Sequence, residues 1–255
     1  MRFFTSDHHF FHKNILKYEA KYRPFTDVEE MNHTLIQIWN DTVAATDEVY
    51  YLGDFAFCAS VEQAWSILDQ LNGIKYLIKG NHDPLKLAER YFVWMKSEAD
   101  IEIQHPDLED SQTVRLCHYP YVDRDLLFMS QERVINISLA ALPLAETFSG
   151  DIEQIVTQKR DYLTQRDFLI RHYGIAVHPK ELVQAEPLRR YLAKSLKKFT
   201  TQRPRPDGRW LLHGHVHGLW QYKRSEKMIN VSVEACSLKP ISEREIQQII
   251  WPISK

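Results

Sequence analysis

Aspartate, histidine and asparagine residues of this 255-residue chain gather in short patterns that each follow an apolar stretch. Imidazole and carboxylate groups together suit divalent metals such as manganese, iron, zinc and nickel. Each pattern alone is ordinarily a polar turn or a packed histidine, so a metal site is indicated by the set and by no single member. The patterns are Asp7-His8-His9, Gly53-Asp54, Gly80-Asn81-His82-Asp83, His118 and Gly214-His215-Val216-His217.

Two of the patterns place metal-binding side chains two residues apart. On an extended segment the side chains alternate between opposite sides, so residues i and i+2 share a side. We therefore expect Asp7 and His9 to bind one ion, and His215 and His217 to bind one ion in the same way. His8 would point to the opposite side, for packing or for a contact that supports a metal ligand. Glycines that permit tight turns stand beside the candidate ligands: Gly53, Gly80 and Gly214.

Short strands separated by helices predict an α/β or layered α+β architecture. Capping-box spacings predict helices that begin after Thr26, Ser60 and Ser242. The patterns follow predicted strands, which is where open α/β sheets bind ligands. The predicted strands are Arg2–Ser6, Glu48–Leu52, Lys75–Ile78, Thr113–Cys117, Trp210–Leu212 and Met228–Val233.

The segment 122–206 reads as a helical insertion within a single domain that spans residues 1–255. Within it, residues 187–206 contain basic side chains and no acidic one, on the polar side of an amphipathic helix. This pattern predicts either a contact with phosphate groups or nucleic acid, or a solvated helix face. The bases are Arg189, Arg190, Lys194, Lys197, Lys198, Arg203 and Arg205.

Composition excludes several classes of protein. The chain is 44% hydrophobic with 34 acidic and 32 basic residues, a net charge of −2, which argues against disorder and against a strongly basic nucleic-acid binder. We predict no membrane span and no signal peptide, and we predict no membrane partner. Three distant cysteines suit a reducing compartment, so a cytoplasmic location is expected. Composition does not indicate the oligomeric state.

The five patterns, taken in order, resemble the signature of the calcineurin-like metallophosphoesterase family: D-x-H, GD, GNH(D/E), H and GHxH. The opening from Ser6 to Ile15, with Arg23-Pro24-Phe25, is also similar to a small bacterial and phage branch of that family. The resemblance implies a two-sheet β-sandwich flanked by helices in four layers. It covers the chain from the first strand to about Met228, apart from the insertion.

The resemblance also implies two divalent cations as cofactors, with manganese favoured and iron, zinc, nickel or magnesium as alternatives. Asp54 would bridge the two ions. The implied ligands of one ion are Asp7, His9, Asp54 and His217, and those of the other are Asp54, Asn81, His118 and His215.

Two such ions would clamp a phosphate ester and generate a hydroxide that attacks phosphorus. His82, next to a ligand but not one itself, is the expected donor to the leaving oxygen. Asp83 would orient the His82 ring or tune its pKa, or alternatively cap a helix that begins at Pro84. We expect His12, Asn14 and Arg23 to bind substrate, with polar loop residues as the alternative.

The expected activity is a metal-dependent phosphodiesterase acting on a nucleotide, a cyclic nucleotide or a nucleic acid. Protein phosphatases of the superfamily carry an arginine soon after the Gly-Asp pattern, and the stretch Gly53–Ala59 has none. Phe55 and Phe57 in this stretch suggest core packing, or alternatively a pocket that stacks a base. The other functions considered are a phosphomonoesterase and a metal-binding scaffold with little catalysis, although the presence of His82 argues against the scaffold.

Overall fold

The computed structural model describes residues 1–122 and 202–252. The chain divides into two compact units, one made of Met1–Pro120 and Pro206–Lys255 and the other of Tyr121–Arg205. The helical insertion predicted for 122–206, with its basic segment 187–206, lies almost wholly outside the described residues and stays a prediction. All candidate site residues belong to the first unit, which is described below.

The first sheet has the strand order β10-β1-β2-β3-β4. Its members are β1 (Arg2–Thr5), β2 (Glu48–Tyr51), β3 (Ile74–Ile78), β4 (Phe92–Lys96) and β10 (Ile241–Ser242). Strands β1 to β4 are parallel, and β10 adds antiparallel to β1. The carboxyl ends of β1, β2 and β3 therefore meet at one edge of the sheet.

The second sheet has the order β5-β6-β7-β9-β8. Its members are β5 (Glu98–Gln104), β6 (Ser111–Cys117), β7 (Trp210–His213), β8 (Tyr222–Lys223) and β9 (Met228–Asn230). Strands β6, β7 and β9 are parallel, whereas β5 and β8 are antiparallel to their neighbours. The two strands that precede His118 and His215 thus also end side by side.

In the described chain, α-helices lie between successive strands of the first sheet from β1 to β4 and after β10. They are α1 (Ile15–Tyr18), α2 (Val28–Thr42), α3 (Val61–Leu68), α4 (Ala88–Tyr91) and α5 (Glu243–Ile250). Short 3₁₀ helices lie at Leu85–Leu87, His217–Leu219, Arg224–Glu226 and Val233–Cys236. None of these helices has the length and apolarity that a membrane span requires.

The first sheet is apolar on both faces because its side chains alternate between two cores. Phe3 and Leu77 pack with helices α2 and α3, whereas Phe4 and Ile78 pack with strands of the second sheet and with α5. The fold is therefore mixed α/β with two mixed sheets, which fits a two-sheet sandwich. A helical layer outside the second sheet, which four layers would require, is not seen among the described residues.

The element predictions were mostly confirmed, with shifts at the ends. The box predicted at Ser242 is formed, because its hydroxyl accepts from the Glu245 N–H while the Glu245 carboxylate accepts from the Ser242 N–H. The cap predicted at Thr26 is wrong by one residue, since Asp27 caps α2 by accepting from the Glu30 N–H at 2.8 Å. At Ser60 the position is right, but its side chain makes no capping hydrogen bond.

Candidate metal centre

Every predicted metal ligand follows the carboxyl end of a strand. Asp7 follows β1, Asp54 follows β2, Asn81 follows β3, His118 follows β6, and the pair His215 and His217 follows β7. Backbone hydrogen bonds join these loops: the Asp7 N–H donates to the Gly53 carbonyl at 2.9 Å, and the Gly214 N–H donates to the His118 carbonyl at 3.0 Å. The parallel order of the strands thus brings residues distant in sequence to one place.

Two groups of side chains converge closely enough to hold a cation. Asp7, His9 and His217 form one group, and Asp7, Asp54 and His118 form the other, with ligand atoms within 4.8 Å of one another in each. Asp54 Oδ2 also lies 3.6 Å from His9 Nε2 and 3.6 Å from His118 Nε2. Two carboxylates, Asp7 and Asp54, therefore stand between the histidines of the two groups.

Several buried atoms of the two groups lack partners among the described residues. Asp7 Oδ1 and both ring nitrogens of His9 are buried without a hydrogen bond. A buried polar atom left unsatisfied costs about 1–3 kcal/mol, so such atoms call for a missing partner. Oxygen and imidazole donors held apart at 3.6 Å without bonding one another fit a divalent cation.

The remaining predicted ligands lie beside the second group. Asn81 Oδ1 is 3.1 Å from His118 Nε2, while His118 Nδ1 lies 2.8 Å from the Leu52 carbonyl, which fixes the ring. The His215 ring centroid is 5.2 Å from that of His118, and the His217 centroid is 5.2 Å from that of His9. The structure thus brings all seven predicted ligands together.

The expectation that each pair shares one ion fits Asp7 and His9 but not His215 and His217, and alternation along extended segments is not the reason in either case. Asp7, His9 and Asp54 have φ values of 59°, 51° and 59°, and His215 and His217 have 71° and 48°, all in the left-handed region. As a result, Asp7 and His9 do share one group, but His215 turns towards His118 and His217 towards His9. Strained backbone of this kind is concentrated at functional sites.

Glycines let the loops approach one another closely. A Cβ atom on Gly80 would overlap Asp54 Oδ1, and one on Gly214 would overlap Asp7 Oδ2. Gly53 has a φ of 94°, and a Cβ there would lie 2.6 Å from the Gly80 backbone. The two carboxylates are therefore seated directly against glycine backbone.

Arg23 does not bind substrate as predicted, because it is buried beneath the first loop. Its guanidinium donates to the carbonyls of Asp7 at 2.6 Å and His8 at 2.7 Å, and it pairs with Glu234 at 2.7 Å. Glu234, which sequence reasoning missed, also lies 3.0 Å from His217 Nδ1 and so leaves Nε2 of that ring for a cation. A carboxylate behind a metal-binding histidine fixes its orientation and tautomer.

Asp83 has a task other than orienting His82. Its carboxylate accepts from three backbone N–H groups at 2.8 Å each, those of Asp54, Phe55 and Gly80. These bonds point back towards β2 and β3 rather than forward to a helix after Pro84, so neither predicted role describes its contacts. Asp83 instead ties the loop that carries Asp54 to the loop that carries Asn81.

The other predicted residues lie at different distances from the centre. His82 is exposed; its N–H donates to Asp54 Oδ1 at 2.9 Å, and its ring centroid is 5.7 Å from that of His9. The His12 centroid is 5.3 Å from His9, so both rings border the first group. Asn14 is exposed at the start of α1, and among the described residues no contact brings its side chain to the cluster.

His8 is buried and packs as expected, with Nδ1 2.8 Å from the Tyr51 hydroxyl. Ser232 and Asn230 hold the Asp7 loop from behind: the Ser232 hydroxyl lies 2.8 Å from Asp7 Oδ2 and 2.6 Å from Asn230 Oδ1. The His215 N–H donates to the same Asp7 oxygen at 3.0 Å. One oxygen of Asp7 is thus anchored by the protein and the other is left for a ligand.

The electrostatics of these side chains suit cation binding. Burial raises the pKa of the Asp7 carboxyl, and burial followed by the nearby His217 lowers the pKa of His9 well below its usual value. Although burial opposes it, Glu234 raises the pKa of His217 to about 10. A bound cation would offset the effect of burial on the charged Asp7 carboxylate. It would also displace the proton of His217, since metal ligands must be deprotonated.

Comparisons with known proteins give relatives without a stated activity, and no family model matches the chain. An uncharacterized protein of Methanocaldococcus jannaschii is 46% identical over 92 residues, which are 36% of this chain and 50% of that protein. The gene 66 protein of Mycobacterium phage L5 is 32% identical over 133 residues, 47% of this chain and 63% of that protein. The chain thus matches about half to two thirds of the length of these relatives.

A solved structure supports the fold. A protein of unknown function from Aquifex aeolicus aligns with 98% of this chain and 99% of its own, with a TM-score of 0.51 and 23% identity. At this identity the likeness concerns the fold alone. The chemistry of the centre must therefore be argued from its own residues.

Proposed function

We propose that this chain is a calcineurin-like metallophosphoesterase that hydrolyses phosphodiesters with two divalent cations. The observation that carries the proposal is the convergence of loops from both sheets on the unpartnered atoms of Asp7 and His9. A pair of divalent cations, when bound, supplies a hydroxide nucleophile at neutral pH and neutralises charge on the phosphate oxygens.

In this proposal, most side chains of the centre bind the cations and one transfers a proton. Asp7 and Asp54 supply the negative charge that two cations need, and the four histidines with Asn81 complete the donor set. His82 is exposed, its ring lies beside that of His9, and its backbone N–H donates to Asp54 Oδ1, so we assign this ring the proton transfer to the leaving oxygen. It donates a hydrogen bond or proton to that oxygen.

The experiment that tests the proposal compares an aryl phosphate diester with the matching monoester. The protein is stripped with a chelator and reloaded with Mn²⁺, Mg²⁺, Zn²⁺ or Ni²⁺. We expect diester turnover that requires a metal and is lost in Asp54→Ala. The matched control is Asp41→Asn, which changes an exposed aspartate of α2 and should keep full turnover.

Two outcomes would contradict the proposal. Preferential turnover of the monoester would identify a phosphomonoesterase, and bound metal without turnover of either ester would identify a metal-binding scaffold. The variant His82→Ala separates metal binding from catalysis. We expect it to keep both metals while kcat falls about 10²–10⁴-fold, the usual contribution of a general acid. Unchanged turnover in this variant would exclude His82 from the mechanism.

A further inference from the structure

An exposed aromatic side chain stands at the border of the candidate centre. Phe57 is 51% exposed, although Phe55, two residues earlier, is fully buried. The core packing considered for both phenylalanines therefore applies to Phe55 only. A single exposed apolar side chain is ordinary on a protein surface, so what distinguishes Phe57 is the set of rings that it contacts beside the candidate ligands.

Phe57 belongs to a group of rings that leads to the metal ligands. Its centroid is 4.6 Å from that of His12, with planes 28° apart, and 5.6 Å from that of His82, at 72°. His12 and His82 in turn lie 5.3 Å and 5.7 Å from His9. We call Phe57, His12 and His82 the aromatic rim; it borders the metal group that contains His9.

The backbone holds the rim in place. The Phe57 N–H donates to the Phe10 carbonyl at 2.8 Å, and the Phe10 N–H donates to the Phe55 carbonyl at 3.0 Å. Phe10 is itself fully buried against Phe55, with ring centroids 5.1 Å apart. The exposure of Phe57 is thus set by a hydrogen-bonded segment seated on the core, which pre-organises the ring for contact with a ligand.

We propose that Phe57, stacked on His12, binds the nucleobase of the substrate while the metal centre holds its phosphate. This inference rests on the proposed function and names its substrate class, a phosphodiester of a nucleoside. The Phe57 side chain offers a flat apolar surface with no hydrogen-bonding group, so it selects for a planar ring without reading which base is present. Stacking of this kind tolerates every base because each has a π face.

The test compares binding of thymidine 5′-monophosphate and 2-deoxyribose 5-phosphate to the Mn²⁺-loaded protein by calorimetry. The two probes share a phosphate and a sugar and differ in the base. We expect Phe57→Ala to weaken binding of the nucleotide on the order of tenfold and to leave the sugar phosphate unchanged. Phe57→Trp should restore nucleotide binding. The matched control is Val93→Ala, which shortens an exposed apolar side chain elsewhere in the chain, on β4.

A kinetic measurement complements the binding. Thymidine 5′-(p-nitrophenyl phosphate) and methyl p-nitrophenyl phosphate release the same leaving group, so their ratio of kcat/KM reports the nucleoside. Phe57→Ala should lower this ratio about tenfold. Equal losses with both esters and both binding probes, or no loss in any, would overturn the role of Phe57. A lack of turnover in the wild-type protein contradicts the proposed function instead, while the binding comparison still decides whether the rim takes a base.

Discussion

At the scale of single residues, the candidate centre depends on side chains that touch no ligand. Asp83 holds the loops of Asp54 and Asn81 together, and Arg23 with Glu234 holds the loops of Asp7 and His217. These residues set where the ligand atoms stand. Replacing any of them should therefore lower metal affinity as well as the free energy of unfolding.

Glu234→Gln tests this support. The change leaves the Arg23 guanidinium buried without its charge partner, which costs about 3–5 kcal/mol of the free energy of unfolding. It also weakens the hold on His217 Nδ1, so we expect Mn²⁺ affinity to fall about 10–100-fold. Chemical denaturation and metal titration below the unfolding range measure the two effects.

The control for that variant is Glu226→Gln, which removes an exposed partner of Lys223. It should change stability by less than about 1 kcal/mol and should not change metal affinity. If Glu234→Gln lowered stability but left Mn²⁺ affinity intact, Glu234 would be a packing residue without influence on the metal.

Gly80→Ala tests how closely the loops approach. The added methyl group would overlap Asp54 Oδ1, so the carboxylate must move away from the histidines on either side of it. We expect Mn²⁺ affinity to fall about 10–100-fold, as it does when the surroundings of a ligand are disturbed. Gly208→Ala, where a Cβ would meet nothing within 4 Å but a φ of 92° strains the backbone, should lower stability and still keep full affinity.

Sequence spacing singled out seven candidate ligands, which the fold brings together, but it did not predict how they are placed. Alternation predicted two equivalent pairs, and the left-handed backbone of Asp7, His9, His215 and His217 redirects them. Glu234 was missed and Arg23 was assigned to substrate binding, because a buried ion pair between residues that are 211 positions apart leaves no local sequence pattern. Only the tertiary fold shows that an arginine is buried.

At the scale of elements, strands with strong apolar patterns were predictable and those that depend on a neighbour were not. Strand β5 reads Glu98–Gln104 with alternating polar residues and buries Ile103 alone, so its pairing with β6 maintains it. Met228–Val233 was predicted as one strand, but β9 ends at Asn230, whose side chain bonds to the backbone of Ser232. A side chain that competes for backbone groups ends the strand.

Strand β3 contains a buried cation that should make stability depend on pH. Lys75 Nζ donates to the carbonyls of Leu71 at 2.6 Å and Gly73 at 2.9 Å, and burial lowers its pKa to about 8. The unfolded chain, with the ordinary value of 10.5, binds more protons between those limits. Stability should therefore rise with pH from about 8 to about 10.5, by about 3 kcal/mol from this group.

Lys75→Met removes that titration. We expect urea denaturation at several pH values to show a smaller rise of the free energy of unfolding with pH in the variant than in the wild type. This comparison of slopes does not depend on the difference in absolute stability between the two proteins. Lys17→Met, on the exposed side of α1, should keep the wild-type slope. Identical slopes in all three proteins would show that Lys75 titrates normally in the folded state.

At the scale of the whole molecule, the centre joins segments from the two sheets and from both described stretches of the chain. Cations bound there favour the folded state, because the unfolded chain does not bring Asp7, Asp54 and His217 together. At a free metal concentration of 100 times Kd, the gain is about 2.7 kcal/mol. We expect Mn²⁺ to raise Tm by several degrees, and Asp54→Ala to abolish that rise. A Tm that does not respond to metal would contradict the centre.

The left-handed backbone of the ligands has a consequence for how such chains diverge. Asp7, His9, Asp54, His215 and His217 occupy a region that glycine enters freely and other residues enter at a cost of about 1–3 kcal/mol each. In a related chain that no longer needs to bind metal, glycine at these positions would relieve that strain. We therefore expect substitutions of these residues to glycine to accumulate sooner than substitutions to alanine. Glycines at these five positions in a related chain would then indicate that the proposed metal centre had been lost.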